Sequence, residues 1–594
     1  MSHIHNIPAQ RFAALRKAAA IPDNWLPYPY VDTLYDHTRF LSPMRPIATF
    51  GTDTYPVAKV AIIGAGAGGM VAAYELLRAG VQPIIFEATD RVGGRTWSRN
   101  FETQSGAKPP VWAELGAMRV PPSQKLFWYY ANQFGVKTGD FPDPGISPTL
   151  LYYENQPYWW QPQTPPPGPF AKIQDDFGKF ASRFIQKIWT PWYNNGAEPD
   201  WDQVTTVWQS YIDRYREMSV YDAVRKGIRG WGDEELNAFS ALGVGSGGFG
   251  TLYRVGNLEL LRNMINKWEY EQQLIVGWEG TNQKFIPDGI NGLTHMFYNK
   301  PVQWRNGRTV SLESLRAVAF NSTVTQIERD PASSQLKVHW INKTNRQANV
   351  ETFSAVIVAA PTRSMEIDIG MTLPQANAVD IGSQDVKNTM RNLYLIGSSK
   401  MLIRTTSKFW RDGRGQARSD IPQSIQTDEL PRGVYCLDYP HTDEGVVIIS
   451  YTWGDDSTKL TAVEPVERFR KFKEILTRIC PPFGANLNPA NGERDILNVD
   501  WEATEHYYGA FKLQLPGQDH LVQSAYYHFQ SVLDPGLDRG VYLAGDSVSW
   551  SGGWVEGALQ TGINAACAVA KRLGGTLRRK SPLAQNPNRY HYTG

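Results

Sequence analysis

The stretch VAKVAIIGAGAGGMVAAYELLRAG, residues 57–80, constrains this chain more than any other. A short apolar run suited to a buried strand leads into a glycine-rich turn, and a helix pattern follows that closes at Gly80, where a C-terminal glycine is favoured. Gly64, Gly66 and Gly69 occupy the GxGxxG places. The first permits the tight turn, the second lets the backbone approach a pyrophosphate, and the third packs the helix closely on the strand. The helix N-terminus then faces the phosphates. A second strand, QPIIFEA, ends at Glu87, where an acid binds ribose hydroxyls. Together these elements make one βαβ unit. The joint pattern points to a dinucleotide site rather than to a glycine turn beside a surface glutamate.

At 594 residues the chain has room for about four serial domains. With 42% hydrophobic and 20% charged residues it can bury a large core and is not disordered. Sixty Lys+Arg against 58 Asp+Glu leave a net charge of +2, without the basic excess of a nucleic-acid binder. Cys436, Cys480 and Cys567 are too few for a disulfide framework and suit a reducing compartment. The N-terminus lacks a signal-peptide core, and no run of about 18 uninterrupted apolar residues is present, so a cytoplasmic protein without a membrane span is expected. No His/Cys/acid cluster has metal-ligand spacing. The twenty tryptophans are the unusual count.

Residues 9–19 carry a short helical pattern within an N-terminal arm, 1–54. Residues 123–240 read mostly as helices, broken by a proline cluster at 161–169. SLESLRAVAF, VTQIERD, LKVHWIN and SAVIVAA read as strands within 301–360, as do GVYCLDY and GVVIISYTW within 434–456. A further strand, GVYLAGD, precedes a final helix from about 554 to 572.

Directly after Glu87 comes DRVGGRTWS, with Arg91, the Gly93–Gly94 doublet and Arg95. A second glycine pair lets another loop approach the same phosphates, and guanidinium groups neutralise them. A nicotinamide cofactor that leaves in each cycle seldom needs two such clamps, whereas a resident FAD does. With both elements joined, the chain resembles the flavin amine oxidase family. GVYLAGDSVSWSGGWVEGALQTGINAA strengthens the likeness: Asp546 falls beside the phosphates and ribitol, and the helix beginning near Trp554 turns its positive end towards the flavin. Leu559, Gly562, Ile563, Ala566 and Val569 mark one packed face of that helix. The resemblance also puts Val324 at the adenine, and Gly116, Ala117, Met118, Arg119, Gly553, Trp554 and Val555 against the cofactor. No cysteine stands between Cys480 and Cys567, where some relatives attach FAD, so FAD is expected to be non-covalent.

The fold this implies is α/β. A Rossmann-like FAD-binding domain of the GR2 type (55–125, 283–362 and 535–575) is joined to a discontinuous substrate-binding α+β domain (245–282 and 363–534), a helical region (126–244) and a tail (576–594). Residues 64–95 and 545–557 must then meet in space, so serial domains are the wrong division.

In AELGAMRVPP, residues 113–122, the Met118–Arg119 pair resembles the amino-acid oxidases rather than oxidases of plain amines. The likeness makes Arg119 the fork for a substrate carboxylate, Tyr451 its hydroxyl support, and Lys400 the holder of a water near flavin N5. Gly553 and Trp554 close the site, with the Gly553 carbonyl accepting from the substrate amine. Each has a blander reading: a salt-bridged arginine, a half-buried strand tyrosine, a solvated lysine before a strand. GSGGFGTLYRVGNLELLR (245–262) and WEATEHYYGAFKLQLPG (501–517) look like the bacterial branch that holds amino-acid 2-monooxygenases. The segment 249–253 lacks the acid that lysine-acting relatives carry, and Trp453, Trp501 and Trp554 suggest large apolar or aromatic L-amino acids.

The expected reaction is hydride transfer from Cα to flavin N5 and re-oxidation by O2, releasing 2-oxo acid, ammonium and hydrogen peroxide. The alternative is a 2-monooxygenase that decarboxylates the amino acid to its amide. A plain amine oxidase or a non-catalytic flavin protein stands behind both. A homo-oligomer, dimer or higher, is expected.

Overall fold

In the computed structural model, residues 36–51, 58–101, 110–193, 200–246, 254–271, 283–330, 333, 335–373, 379–583 and 592 are described. The helical pattern at 9–19 and the acid-free segment 249–253 lie outside them.

The apolar runs Val60–Ile63, Pro83–Phe86, Ala355–Val358 and Val541–Leu543 pair in parallel, with Val318–Ala319 on the outer edge beside Pro83–Phe86. Both faces of this sheet are covered, which is why its strands carry no polar alternation. Val60, Ile62, Ala355 and Ile357 pack on one side with the fingerprint helix Ala67–Arg78 and the C-terminal helix Val555–Arg572. Ala61, Ile63, Val356 and Val358 pack on the other, where the antiparallel sheet Ser322–Arg329, Leu336–Asn342 and Ala348–Phe353 contributes Val324, Val338 and Phe353. The strand Ala348–Phe353 has no counterpart in the sequence reading. SLESLRAVAF holds only the two-residue strand Val318–Ala319, the rest being turn.

The C-terminal helix is buried along its whole length from Val555 to Ala570, not on one face alone. It crosses the fingerprint helix so closely that a Cβ on Gly562 would stand 2.3 Å from the Gly68 carbonyl oxygen. Thus residues 64–95 and 545–557 do meet, far apart in the chain as they are: Arg95 pairs with Asp546, and a Cβ on Gly68 would stand 3.2 Å from the Gly545 nitrogen.

A second, seven-stranded sheet runs Ile496–Asp500, Ser398–Thr405, Gly445–Trp453, Gly433–Leu437, Ser424–Thr427, Thr149–Tyr153, Gln156–Trp160. The last two strands correct the helical reading of 123–240. TLLYY and QPYWW form a hairpin whose β-branched and aromatic residues suit a pleated surface. Helices Pro169–Tyr193, Trp201–Tyr215, Val220–Gly227, Asp233–Leu242 and Asn257–Glu271 pack into one cluster against Trp453 and Leu513. Among the described residues no helix is long and apolar enough to cross a membrane.

Candidate active site

A cavity lies at the C-terminal ends of the parallel strands, where Ile63, Phe86, Ala359 and Gly545 line it. Gly64, Gly66, Glu87, Gly94, Arg95, Val324 and Asp546 line one part of it, and Gly116, Ala117, Lys400, Tyr451, Gly553, Trp554 and Val555 another. A smaller cavity adjoins it and shares Lys400, Tyr451, Gly553 and Trp554. Met118, Arg119, Trp453, Leu513 and Gly552 line the smaller cavity alone, and Phe511 lines both.

The cradle is built for a close ligand backbone. Gly64 takes a φ of +102°, a conformation open to glycine, and a Cβ there would meet the Ala359 carbonyl oxygen at 2.9 Å. Gly66 forms a backbone bridge with Gly93, and a Cβ on Gly94 would sit 3.1 Å from the Gly66 Cα. The two glycine loops therefore face each other, as the double clamp requires. Gly69 does not line the cavity. Its missing Cβ would lie 1.9 Å from the Gly64 carbonyl oxygen, so it serves the helix–turn packing. Gly69→Ala is expected to yield protein that purifies without flavin, read from the absence of the yellow absorption band.

Glu87 accepts from the Ala65 N–H at 2.7 Å and from the Thr89 N–H at 2.9 Å, so it braces the glycine turn as well as lining the cavity. Arg95 lines the wall, but its guanidinium is ion-paired with Asp546 and donates to the Ala510 carbonyl at 2.7 Å. The expectation that Arg91 neutralises phosphates is corrected. Its guanidinium lies over the Trp97 ring at 4.5 Å and donates to the Tyr507 hydroxyl at 3.2 Å, and it is not among the lining residues. Cys436, Cys480 and Cys567 are buried and line neither cavity. Among the described residues no group of His, Cys, Asp and Glu could hold a metal ion.

The second sheet delivers the remaining groups by register. Lys400 stands directly opposite Tyr451, and Ser398 opposite Trp453, so Lys400, Tyr451 and Trp453 share one face. Lys400 lies inside the strand Ser398–Thr405, not before it. Its Nζ sits 4.8 Å from the Tyr451 ring centroid and donates to the carbonyl oxygens of Glu114, at 3.3 Å, and Gly116. Leu115 O accepts from the Trp501 indole at 3.0 Å, so Trp501 anchors this segment. Only glycine fits at 116, where a Cβ would come 1.8 Å from the Arg95 carbonyl oxygen.

Burial pushes the Lys400 ammonium down to about 7; Glu114 opposes this and Arg119 adds to it. Burial likewise raises the Glu114 carboxyl to about 7, against hydrogen bonds from Ser98 and the Ile290 N–H. Arg119 is buried and lines the smaller cavity while pairing with Asp143 at 3.3 Å. The C-terminal helix opens on Trp554, which places its N-terminal end at the junction of the two cavities.

Phe511, Leu513 and Gly552 were not singled out from the sequence. They fall in or beside the quoted blocks 501–517 and 540–566, but nothing in their local pattern separates cavity wall from core.

Fold and site define an FAD-dependent oxidoreductase, with a glycine cradle for the dinucleotide and a smaller pocket beside it. The sequence pattern of the flavin-containing amine oxidoreductases matches residues 67–570, and the chain belongs to that family. It is 34% identical over 585 residues to a tryptophan 2-monooxygenase of Pseudomonas savastanoi, covering 93% of this chain and 97% of that one. A tryptophan 2-monooxygenase of Pantoea agglomerans pv. gypsophilae is 35% identical over 588 residues, covering 93% and 96%. In fold, cyclohexylamine oxidase from Brevibacterium oxydans IH-35A matches with a TM-score of 0.62 at 19% identity, over 87% of this chain and all of that one.

Proposed function

We propose that this chain is an aromatic L-amino-acid 2-monooxygenase, with L-tryptophan as the preferred substrate. The observation that carries it is the smaller cavity. Arg119, Lys400 and Tyr451 share it with a wall of Trp453, Trp554, Phe511, Leu513 and Met118. Arg119 supplies the fork for a carboxylate, with Tyr451 beside it. The aromatic wall suits an indole, and no acid lines the cavity among the described residues, so a cationic side chain would lie there unpaired. The sequence reading places the oxidase first and the monooxygenase second; full-length relatives named tryptophan 2-monooxygenase favour the second over the first.

FAD, when bound, supplies the hydride acceptor and the route to O2. The residues of the chain bind the carboxylate, hold the Cα–H towards the cofactor part of the cavity, and take up the ammonium proton, which must leave before a hydride can. Lys400, at about 7, is neutral in part at neutral pH and is poised for that step, directly or through a water. In the monooxygenase outcome the amine stays on carbon, the carboxylate leaves as carbon dioxide, one oxygen atom of O2 enters the amide and the other leaves as water. The apolar wall favours this by keeping bulk water off the imino acid.

Mass analysis of products under air decides between the readings. The amide with carbon dioxide is expected; 2-oxo acid with stoichiometric peroxide restores the oxidase. The rate of flavin reduction at saturating L-tryptophan is expected to rise as pH increases through about 7, because Lys400 must be deprotonated to accept. Lys400→Met should be slower and lack that limb. A wild-type pH profile in the variant removes Lys400 from the proton path. Linkage has a definite sign as well. The unfolded lysine titrates near 10.5, so between about 7 and 10.5 the unfolded chain binds the extra proton and this group's contribution to stability rises with pH.

A further inference from the structure

We infer that Asp143, behind the cavity wall, is a positioning residue for the Arg119 fork and thereby sets the affinity of the site for α-carboxylates. The inference rests on the proposed role of Arg119 as the carboxylate anchor.

Asp143 is 4% exposed and Arg119 7%, and Asp143 Oδ1 accepts from Arg119 Nη1 at 3.3 Å. The same oxygen accepts from Gln283 Nε2 at 3.1 Å. Neither Asp143 nor Gln283 lines the cavity, whereas Arg119 does.

Asp143 is itself fixed by its backbone. It lies in Phe141-Pro142-Asp143-Pro144-Gly145, where two prolines lock φ and Gly145 turns at φ +78°. Its N–H donates to the Phe141 carbonyl at 2.8 Å, and its own carbonyl accepts from the Ile146 and Ser147 N–H groups at 3.1 Å each. Phe141 N–H donates to the Gln283 carbonyl at 3.0 Å, which ties the 141–145 turn to the residue that shares Asp143 Oδ1.

Arg119 is held from other directions too. Its guanidinium carbon lies 5.1 Å from the Phe141 ring centroid and 5.6 Å from that of Tyr435. An arginine side chain has many rotamers, and one that must be ordered at the moment of binding weakens its ligand. Here the ordering is done in advance. A guanidinium carries five N–H donors, so an anchor at Nη1 is compatible with a substrate carboxylate on another edge.

The test uses the FAD-loaded protein and two ligands that do not require turnover to be detected, followed by flavin absorbance. One is 3-phenylpropanoate, which has the ring and the carboxylate without the amine; the other is 2-phenylethylamine, which has the ring and the amine without the carboxylate. Asp143→Ala is expected to raise the Kd for 3-phenylpropanoate by about tenfold or more, roughly the free energy of one lost ordered rotamer. Its Kd for 2-phenylethylamine should change by less than about twofold, well inside the tenfold step. Asp143→Asn keeps the shape and one acceptor, and is expected to fall between wild type and alanine. It also carries the test if the alanine variant does not retain FAD.

With L-tryptophan, both variants should show the loss in KM and only a small change in the limiting rate of flavin reduction. Unchanged carboxylate affinity in the variant that holds FAD overturns the inference. Equal weakening of both ligands also overturns it, since that marks a general structural role. Arg119→Ala run alongside separates the two claims. If it binds 3-phenylpropanoate like wild type, the anchor reading itself fails; if it loses binding while the Asp143 variants keep it, only the positioning role fails.

Discussion

Arg119→Ala is expected to lower kcat/KM for L-tryptophan by about two to three orders of magnitude while the protein still carries FAD. Removing one partner from a buried, hydrogen-bonded charge pair costs about 2–5 kcal/mol, and each 1.4 kcal/mol is a factor of ten. Two such contacts end together here: the carboxylate of the substrate loses its fork, and Asp143 keeps only Gln283 of its two hydrogen-bonding partners described at Oδ1. The loss should appear in substrate binding first, because the fork holds the carboxylate in ground and transition states alike. Arg119→Lys restores charge without the planar fork and should recover only part of the loss. Flavin content is the control, since Arg119 lines the smaller cavity and not the dinucleotide part. Steady-state kinetics with a flavin-to-protein ratio decides the matter: wild-type kcat/KM in a flavin-replete Arg119→Ala protein removes this residue from the substrate site.

Much of the cofactor half of the site was legible because backbone geometry writes itself into sequence. Gly64 and Gly94 need a positive φ, Gly116 leaves no space for a Cβ, and each demand selects glycine. The parallel strands were visible for a similar reason, since burial on both faces leaves a short apolar run between glycines. The substrate half was harder. Lys400 and Tyr451 meet through strand register across 51 positions of chain, and register leaves no local mark. Family likeness, not spacing, pointed to both. The hairpin Thr149–Tyr153 and Gln156–Trp160 was missed because its neighbours are helical and its apolar runs are too short to show a period of two against one of 3.6. Arg91 was misjudged because a guanidinium near phosphates is a good guess from charge alone, and stacking on Trp97 is a tertiary fact. Tryptophans follow the same division. Trp453 and Trp554 line the smaller cavity, whereas Trp160, Trp208, Trp410 and Trp550 are fully buried side chains of the core.

The second large effect lies behind the site. Glu259 and Lys512 have fully buried side chains, and Lys512 Nζ donates to both Glu259 oxygens, at 2.9 and 2.7 Å. The pair ties the helix Asn257–Glu271 to the strand Phe511–Lys512, and it sits against Gly552, where a Cβ would meet the Lys512 carbonyl oxygen at 2.3 Å. Arg262, also buried, lies 4.0 Å from the Trp550 ring centroid and 5.0 Å from that of Trp208. Burial lowers the Lys512 pKa, Glu259 opposes that shift, and Arg262 reinforces it. Asp546 also opposes the shift, more weakly than Glu259, so Glu259 is the main counter-charge of Lys512 and the two single removals are unequal. Glu259→Gln removes the main counter-charge of a fully buried lysine and should cost about 3–5 kcal/mol, the range for a broken buried pair. Lys512→Met leaves Glu259 with Arg262 still near and should cost less. Replacing both by a Met pair removes the desolvated charges together, and for buried pairs that exchange is often neutral or stabilising. Thermal unfolding of the FAD-loaded proteins should therefore rank the melting temperatures wild type and double variant above Lys512→Met, and Lys512→Met above Glu259→Gln. The reverse order of the two single variants means that Arg262 does not contribute to the local field. No loss in either means that the pair does not staple the helical region to the cavity wall.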